Sequence, residues 1–524
     1  MIVDLHSRPP PQDNEIVIVG SGAVGLSMAV NLSRRGVRVA LLEAGPELPD
    51  ETSQAVFGTA TASGRPLPGL HCGRTRALGG TTNRWAGQIV AIDPHVIGQR
   101  PWIDSDGWPI AHHDIAPYHD AALSLLEMEN TLADSAVWKA LNVAPPAATG
   151  DVVPFLTRWT PTPRFAKLFK PDIVRCANLR VCLNAQATAL RSADGRFVEG
   201  VVVASGTGAT SLVGGRHVVL ACGTVETVRL LFQPLADGRP APWSGNAWLG
   251  RGFMDHVDCT AATVTPLDAP RFADLFEAAV IGGHKYLPKL RLGPSAQERM
   301  RLLDVAGHFV HHSRYDDEIE AIKALAGGAL HLGPGRRRRM ALLRSAVSGF
   351  RFVPPMAMRY LRRSRIKAFH DQGITLRLTA EQTPQANSRI TARDDRDGHG
   401  MRTIDVDWRV APTQIETLAR FSELVRDYLA AQRLATTTID TRLAARNPDF
   451  LAMIDDANHH MGGARMANAP SDGVVDSNLK VFGTHNLHVA GAAVYPTSGF
   501  QNPTFTAIAL GLRLADSLAA GIRP

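Results

Sequence analysis

The 524-residue chain carries 56 Lys and Arg against 49 Asp and Glu, a net charge of +7, with 45% hydrophobic and 20% charged residues. That length exceeds one ordinary hydrophobic core, so two or more domains are expected, and the composition is globular rather than disordered or fibrous. No apolar run reaches the roughly eighteen residues of a membrane span, and no nucleic-acid-binding module accompanies the basic charge.

Five scattered cysteines (Cys72, Cys176, Cys182, Cys222 and Cys259) form no C-x-x-C pair. This argues against structural zinc and fits a reducing compartment, the cytoplasm. Residues 1–14 hold Asp4 and a Pro9–Pro11 run without the apolar stretch of a signal peptide.

The apolar strand Glu15–Val19 runs into Gly20-Ser-Gly22-Ala-Val-Gly25, a helical stretch to Arg35, and a second apolar strand ending on Glu43. This is a βαβ unit with G-x-G-x-x-G. Gly20 makes the turn, Gly22 lets a pyrophosphate approach, and Gly25 lets the helix pack on the strand. The helix N-terminus offers N–H groups and a positive dipole end to the phosphates. Glu43 is placed to hold ribose hydroxyls. The unit binds an adenine dinucleotide, NAD or FAD.

A loop rich in Pro and Gly (46–70) leads to Arg76-Ala-Leu-Gly79-Gly80-Thr81-Thr82-Asn83-Arg84, a backbone able to wrap a phosphate or ring edge. Residues 110–129 read as an amphipathic helix and 131–170 as irregular. Residues 179–190 and 197–204 read as paired strands. The buried strand His217–Gly223 and the helix from Thr224 form a second α/β unit. Strands at 373–380 and 403–409 and a helix at 414–434 suggest a mainly β region. Within it, Arg336 to Lys367 is strongly basic and amphipathic, read as a solvated helical insertion, with membrane-surface contact as the alternative. The tail holds His459-His460-Met461-Gly462, Asn486 to Gly491-Ala492, and Asn502-Pro503-Thr504, where Pro503 opens a final helix with Asn502 as its cap.

Five blocks, Gly20 to Glu43, Arg76 to Thr82, Val219 to Glu226, His459 to Met466 and Asn486 to Thr504, stand in the order of the glucose–methanol–choline (GMC) oxidoreductases, and the chain resembles that family. The resemblance implies FAD and an α/β architecture. A Rossmann-like FAD-binding domain with a parallel sheet (1–260) is completed by 456–524, and a mainly antiparallel-β substrate domain with a helical insertion spans 261–455.

It also implies oxidation of a primary or secondary alcohol group, in a sugar, polyol or related compound, by proton abstraction and hydride transfer. His459 is the implied catalytic base and Asn502 its partner, with the neighbouring His460 as competitor; His256 and His488 read as structural. The implied cofactor-binding residues are Gly20, Gly22, Gly25, Glu43, Arg76, Gly79, Gly80, Thr81, Asn83, Ala187, Gly223, Gly491, Ala492 and Thr504, and no metal is expected.

The sequence departs from the family in three places. Arg84 stands where covalent-flavin members carry histidine, so FAD is expected to be non-covalent. Val228 replaces a usual proline, and Gly491 replaces a usual acid. The electron acceptor (oxygen, a quinone or a redox protein) is left open. A hydroxynitrile-lyase-like activity and a membrane-docked flavoprotein are the alternative readings.

Overall fold

The computed structural model describes residues 1–103, 105–205, 208–318, 353–365 and 371–522. Its first sheet is built from short, wholly apolar strands. Ile16, Val17 and Ile18 are fully buried, as are Val39, Ala40 and Leu41 in the next strand. Strands buried on both faces carry continuous apolar runs because helices cover each side. Six strands lie parallel, in the order Ile2–Asp4, Leu179–Leu183, Val39–Leu42, Asn14–Val19, the end of Thr210–Leu220, and Leu487–Val489. The first half of Thr210–Leu220 turns instead to an antiparallel extension with Gly200–Ala204 and Gln186–Arg191.

The last strand and the last helix return to this sheet. Leu487–Val489 pairs with Val218–Leu220. The helix Pro503–Ile522 packs on Ala23–Arg34 and His112–Leu125. It is the one helix among the described residues long and apolar enough to cross a membrane, with mean hydropathy 1.4, yet 67% of that stretch is buried inside the fold. Burial of an amphipathic or apolar helix against a sheet is what makes it stable.

The second sheet is antiparallel throughout. Its main path runs Ala435–Ile439, Val257–Pro266, Ile374–Ala380, Val305–His311, His284–Leu292, Val152–Trp159 and Gln88–Ile89. One face carries Leu290, Leu292, Phe309, Leu376 and Leu378, all buried. Phe309 meets the rings of Phe272 and Phe276 from the helix Ala269–Phe276. The opposite face carries Lys289, His308 and Arg377. Residues 1–260 supply strands to both sheets.

The structure corrects two expectations. Residues 131–170 are not irregular: they hold the strand Val152–Trp159 and the short helices Asp134–Leu141 and Phe165–Leu168. The stretch 179–190 is two strands, broken where Asn184 takes φ +55° so that its N–H reaches the Gly45 carbonyl. In the basic stretch, Val353–Arg363 is a helix anchored by Arg359 on Glu277 (2.5 and 2.6 Å). Residues 336–352 and Lys367 lie outside the described residues.

Candidate active site

The two glycine turns lie against each other, and Ser21 joins them. Its hydroxyl donates to Glu43 Oε2 at 2.5 Å and accepts from the Gly79 N–H at 3.2 Å. A Cβ on Gly25 would stand 1.9 Å from the Gly20 carbonyl oxygen, so only glycine lets the helix seat on the turn. A Cβ on Gly22, Gly223 or Gly491 meets nothing within 4 Å, so these backbones border open space.

One continuous cleft is lined by Gly20, Gly22, Glu43, Arg76, Gly80, Thr81, Ala187, Gly223, Gly491, Ala492 and Thr504, and it reaches His459, His460 and Pro503. Gly25 and Gly79 shape the turns from behind. Asn83 is not among the residues that line the cleft; its amide donates to the carbonyls of Leu78 (2.9 Å) and Gly80 (3.0 Å) and braces the turn.

The cleft fits an adenine dinucleotide on its own chemistry. The helix from Ala23 has no side-chain cap and no acid in its first turn, which leaves its positive end for an anion. Arg76 donates to Gln186 at 2.8 Å and Arg74 to Glu226 at 2.7 Å, yet Arg76 Nε and Arg74 Nη2 are buried without a partner. Burial pulls both guanidinium pKa values down. Glu43 is buried and accepts from Ser21 Oγ, Ser21 N (3.2 Å) and Gly45 N (2.9 Å). That occupies three of a carboxylate's roughly four acceptor sites and leaves one for a hydroxyl. Burial raises its pKa, and those same bonds oppose the rise.

At the other end His459 and Asn502 meet. The Asn502 amide Nδ2 lies 3.0 Å from His459 Nε2, and His459 Nδ1 lies 2.8 Å from His256 Nδ1. With the amide donating to Nε2, that nitrogen holds a lone pair. The ring proton then sits on Nδ1 and is donated to His256. Burial holds the His459 pKa well below its ordinary value, and the charge on Lys289 pushes the same way, so the ring is neutral and able to accept a proton at pH 7. Burial also takes His256 down to about 3.

Asp255, fully buried, accepts from the N–H groups of His256 (2.7 Å), His459 (3.0 Å) and Ala457 (3.2 Å) and so fixes the backbone of both histidines. Burial, with Asp456 nearby, pushes its carboxyl up to about 8 against the pull of those donors. Gly462 explains the H-x-x-G spacing. A Cβ there would meet the Gly252 carbonyl oxygen at 1.9 Å, where the two histidine-bearing loops cross.

His460 lines the cleft, but its ring lies against Phe253 (5.8 Å) and its Nε2 is 3.8 Å from Asp255, not beside Asn502. Thr224 Oγ1 donates to its carbonyl at 2.6 Å.

The loop that delivers Asn502 is pinned by a buried ion pair. Arg100 donates to both oxygens of Glu381 at 2.6 Å, and the two side chains are 1% and 0% exposed. Glu381 also accepts from the N–H groups of Asp304 (3.2 Å) and Gly499 (3.3 Å), and Asp304 accepts from Phe500 N (3.2 Å) and Gln501 Nε2 (3.1 Å). Residue-by-residue reading found none of these three. His256, read as structural, lies 2.8 Å from His459 through the two Nδ1 atoms; its place near the family's motifs was the one signal in the sequence.

The cleft and the paired His and Asn define a flavin-linked oxidoreductase, and the chain belongs to the FAD-dependent oxidoreductases: the family model of that description matches residues 15–363. Its C-terminal part is a GMC oxidoreductase domain, matched by that family's model over residues 384–511.

Among curated relatives, 2-methyl-1,2-propanediol dehydrogenase of Mycolicibacterium austroafricanum is 21% identical over 96% of this chain and 95% of its own. The fructose dehydrogenase large subunit of Gluconobacter japonicus is 29% identical over 28% of this chain, and the match spans only 25% of that relative's length. The fold of pyridoxine 4-oxidase from Mesorbium loti superposes with a TM-score of 0.57 at 17% identity, covering 96% of this chain and 99% of the other.

Proposed function

We propose that the protein oxidises a primary or secondary alcohol group in a sugar, polyol or related hydroxyl compound, with FAD held non-covalently. The observation that carries this reading is the pairing of His459 Nε2 with the Asn502 amide at 3.0 Å, on a histidine that lines the cleft. Relatives named for a propanediol, fructose and pyridoxine support it.

When bound, FAD supplies the two-electron acceptor for hydride. His459 Nε2 takes the substrate hydroxyl proton, and the Asn502 amide turns from Nε2 to hold the same oxygen. The His459 Nδ1–H stays on His256, so the imidazolium that forms has both N–H groups placed. Gly22, Arg74, Arg76 and Glu43 are the groups suited to the adenine-dinucleotide half. Arg84, whose Nε donates to Thr75 at 3.1 Å, leaves no histidine at the family's attachment position. Unpaired cysteines at all five positions support a reducing compartment.

The test is anaerobic flavin bleaching with a panel of alcohols and sugars. His459→Ala is expected to slow bleaching by about 10²–10⁴-fold. Bleaching at the parent rate would remove His459 from the role. Re-oxidation of the bleached protein by oxygen or a quinone then identifies the acceptor class.

A further inference from the structure

The polar face of the second sheet carries a row of basic side chains, Lys289, His308 and Arg377. Lys289 lies directly opposite Phe155. The Leu290–Gly307 and Arg291–Ala306 pairing brings His308 opposite Lys289 on the other side, and His308 is paired with Arg377. Directly opposed residues on antiparallel strands point to the same face, so Lys289, His308 and Arg377 stand side by side.

Arg377 is neutralised by Asp258 at 2.6 Å. Lys289 is 9% exposed and makes no hydrogen bond or ion pair among the described residues. Among the described residues the only counter-charge acting on it is Asp258, which already engages Arg377, so this mostly buried side chain keeps an ammonium free of any hydrogen bond, a costly arrangement. Burial draws its pKa down to about 8.

The row borders the reacting groups on two sides. Phe155 packs on the Phe500 ring with centroids 5.6 Å apart. Arg291, two residues along from Lys289, pairs with Asp93, which also accepts from Gln501 at 3.3 Å. Phe500 and Gln501 immediately precede Asn502. On the other side Asp258 follows His256 by two residues, and His256 holds His459. The Lys289 charge acts on His256, His308 and His459 alike.

We propose that Lys289 is the anchor for an anionic group on the substrate, so that the preferred alcohols are those bearing a carboxylate, hydroxy acids and sugar acids over their neutral counterparts. This rests on the alcohol-oxidation reading for what happens to the hydroxyl, but the anion site itself is testable without turnover.

Benzoate and benzamide, neither of which has a hydroxyl to oxidise, are titrated calorimetrically into the FAD-loaded protein. Benzoate is expected to bind wild type at least tenfold more tightly than benzamide. Lys289→Met is expected to erase that preference while leaving benzamide binding unchanged, and Lys289→Arg to keep it. Equal binding of the two ligands to wild type, or undetectable benzoate binding at tens of millimolar, overturns the proposal, as does an unchanged preference in Lys289→Met. The wild-type comparison decides the matter even where the methionine variant fails to load flavin. In bleaching assays, 4-(hydroxymethyl)benzoate should then outpace 4-(hydroxymethyl)benzamide. If neither bleaches the flavin while benzoate still binds selectively, the alcohol reading fails and the anion site stands.

Discussion

Removing Arg100 should unseat the loop that carries Asn502. In Arg100→Met two charge-assisted hydrogen bonds of 2.6 Å disappear, and the Glu381 carboxylate stays fully buried with only the Asp304 and Gly499 N–H groups to stabilise it. Losing one partner of a buried pair costs about 3–5 kcal/mol, because the other charge is left uncompensated. Replacing both by apolar residues, as in Arg100→Met/Glu381→Leu, removes that charge and should recover about 2 kcal/mol or more, a coupling measurable in a double-mutant cycle.

Urea unfolding of the FAD-loaded protein, followed by tryptophan fluorescence, reads the stability. Flavin reduction reads the position of Asn502. The expected signature is a single variant that is both less stable and slower. A double variant regains stability but not full rate, since Gly499 has lost its acceptor. If Arg100→Met costs less than about 1 kcal/mol, or the double variant is no more stable than the single, the ion pair does not hold this loop as argued.

His256→Leu removes the acceptor for His459 Nδ1–H and should slow flavin reduction about tenfold or more with unchanged FAD content; His256→Asn, which keeps an acceptor, should restore part of it, and equal rates in all three would refute the relay. Gly25→Ala forces a Cβ to 1.9 Å from Gly20 O and should leave little folded protein, whereas Gly22→Ala has open space and should keep the fold while lowering FAD occupancy, read as the flavin-to-protein absorbance ratio. Acid should destabilise the fold between pH 6.5 and about 3. His256, His460 and His488 are buried neutral with pKa values drawn down to about 3, so the unfolded chain binds protons in that range and the folded chain does not. Each contributes at most about 1.4 kcal/mol per pH unit. Asp255, raised to about 8, works in the opposite direction, as do Glu43, Asp258, Asp304 and Asp456, whose pKa values burial also raises. The lowered His308 and His459 add to the three rings, and the histidines are expected to win, so a melting temperature at pH 5.5 equal to or above that at pH 7 would contradict the burial of these rings.

The glycine turn, both α/β units and the returning tail were legible because each is specified locally, by apolar strands, by glycines at sterically tight points, and by Pro503 at a helix start. Val152–Trp159 was not. Its burial does not alternate, and Pro154 sits in its middle. The proline is tolerated because the neighbour on that side is only Gln88–Ile89, paired with Trp159 and Arg158, so the missing N–H faces an open edge. His459 and Asn502 were legible through the resemblance of the tail blocks to the GMC family. His256 lies 203 residues away from His459, and the Arg100–Glu381 pair is 281 residues apart. Such contacts have no sequence period, since two sheets must form and pack before the side chains meet. Lys289 carried no signal of its own in the sequence; only the strand register sets it beside His308 and Arg377.

The parallel sheet is closed by Leu487–Val489 and the helix Pro503–Ile522. During synthesis the N-terminal strands therefore leave the ribosome long before the strand and helix that complete their layer. Pairing of such high sequence separation is slow to form and leaves apolar surface exposed in the meantime. The same late segment brings His459 and Asn502. A nascent or truncated chain thus has neither a finished nucleotide fold nor the His459–Asn502 pair, and on the proposed reading redox activity is expected only in molecules translated through their final helix.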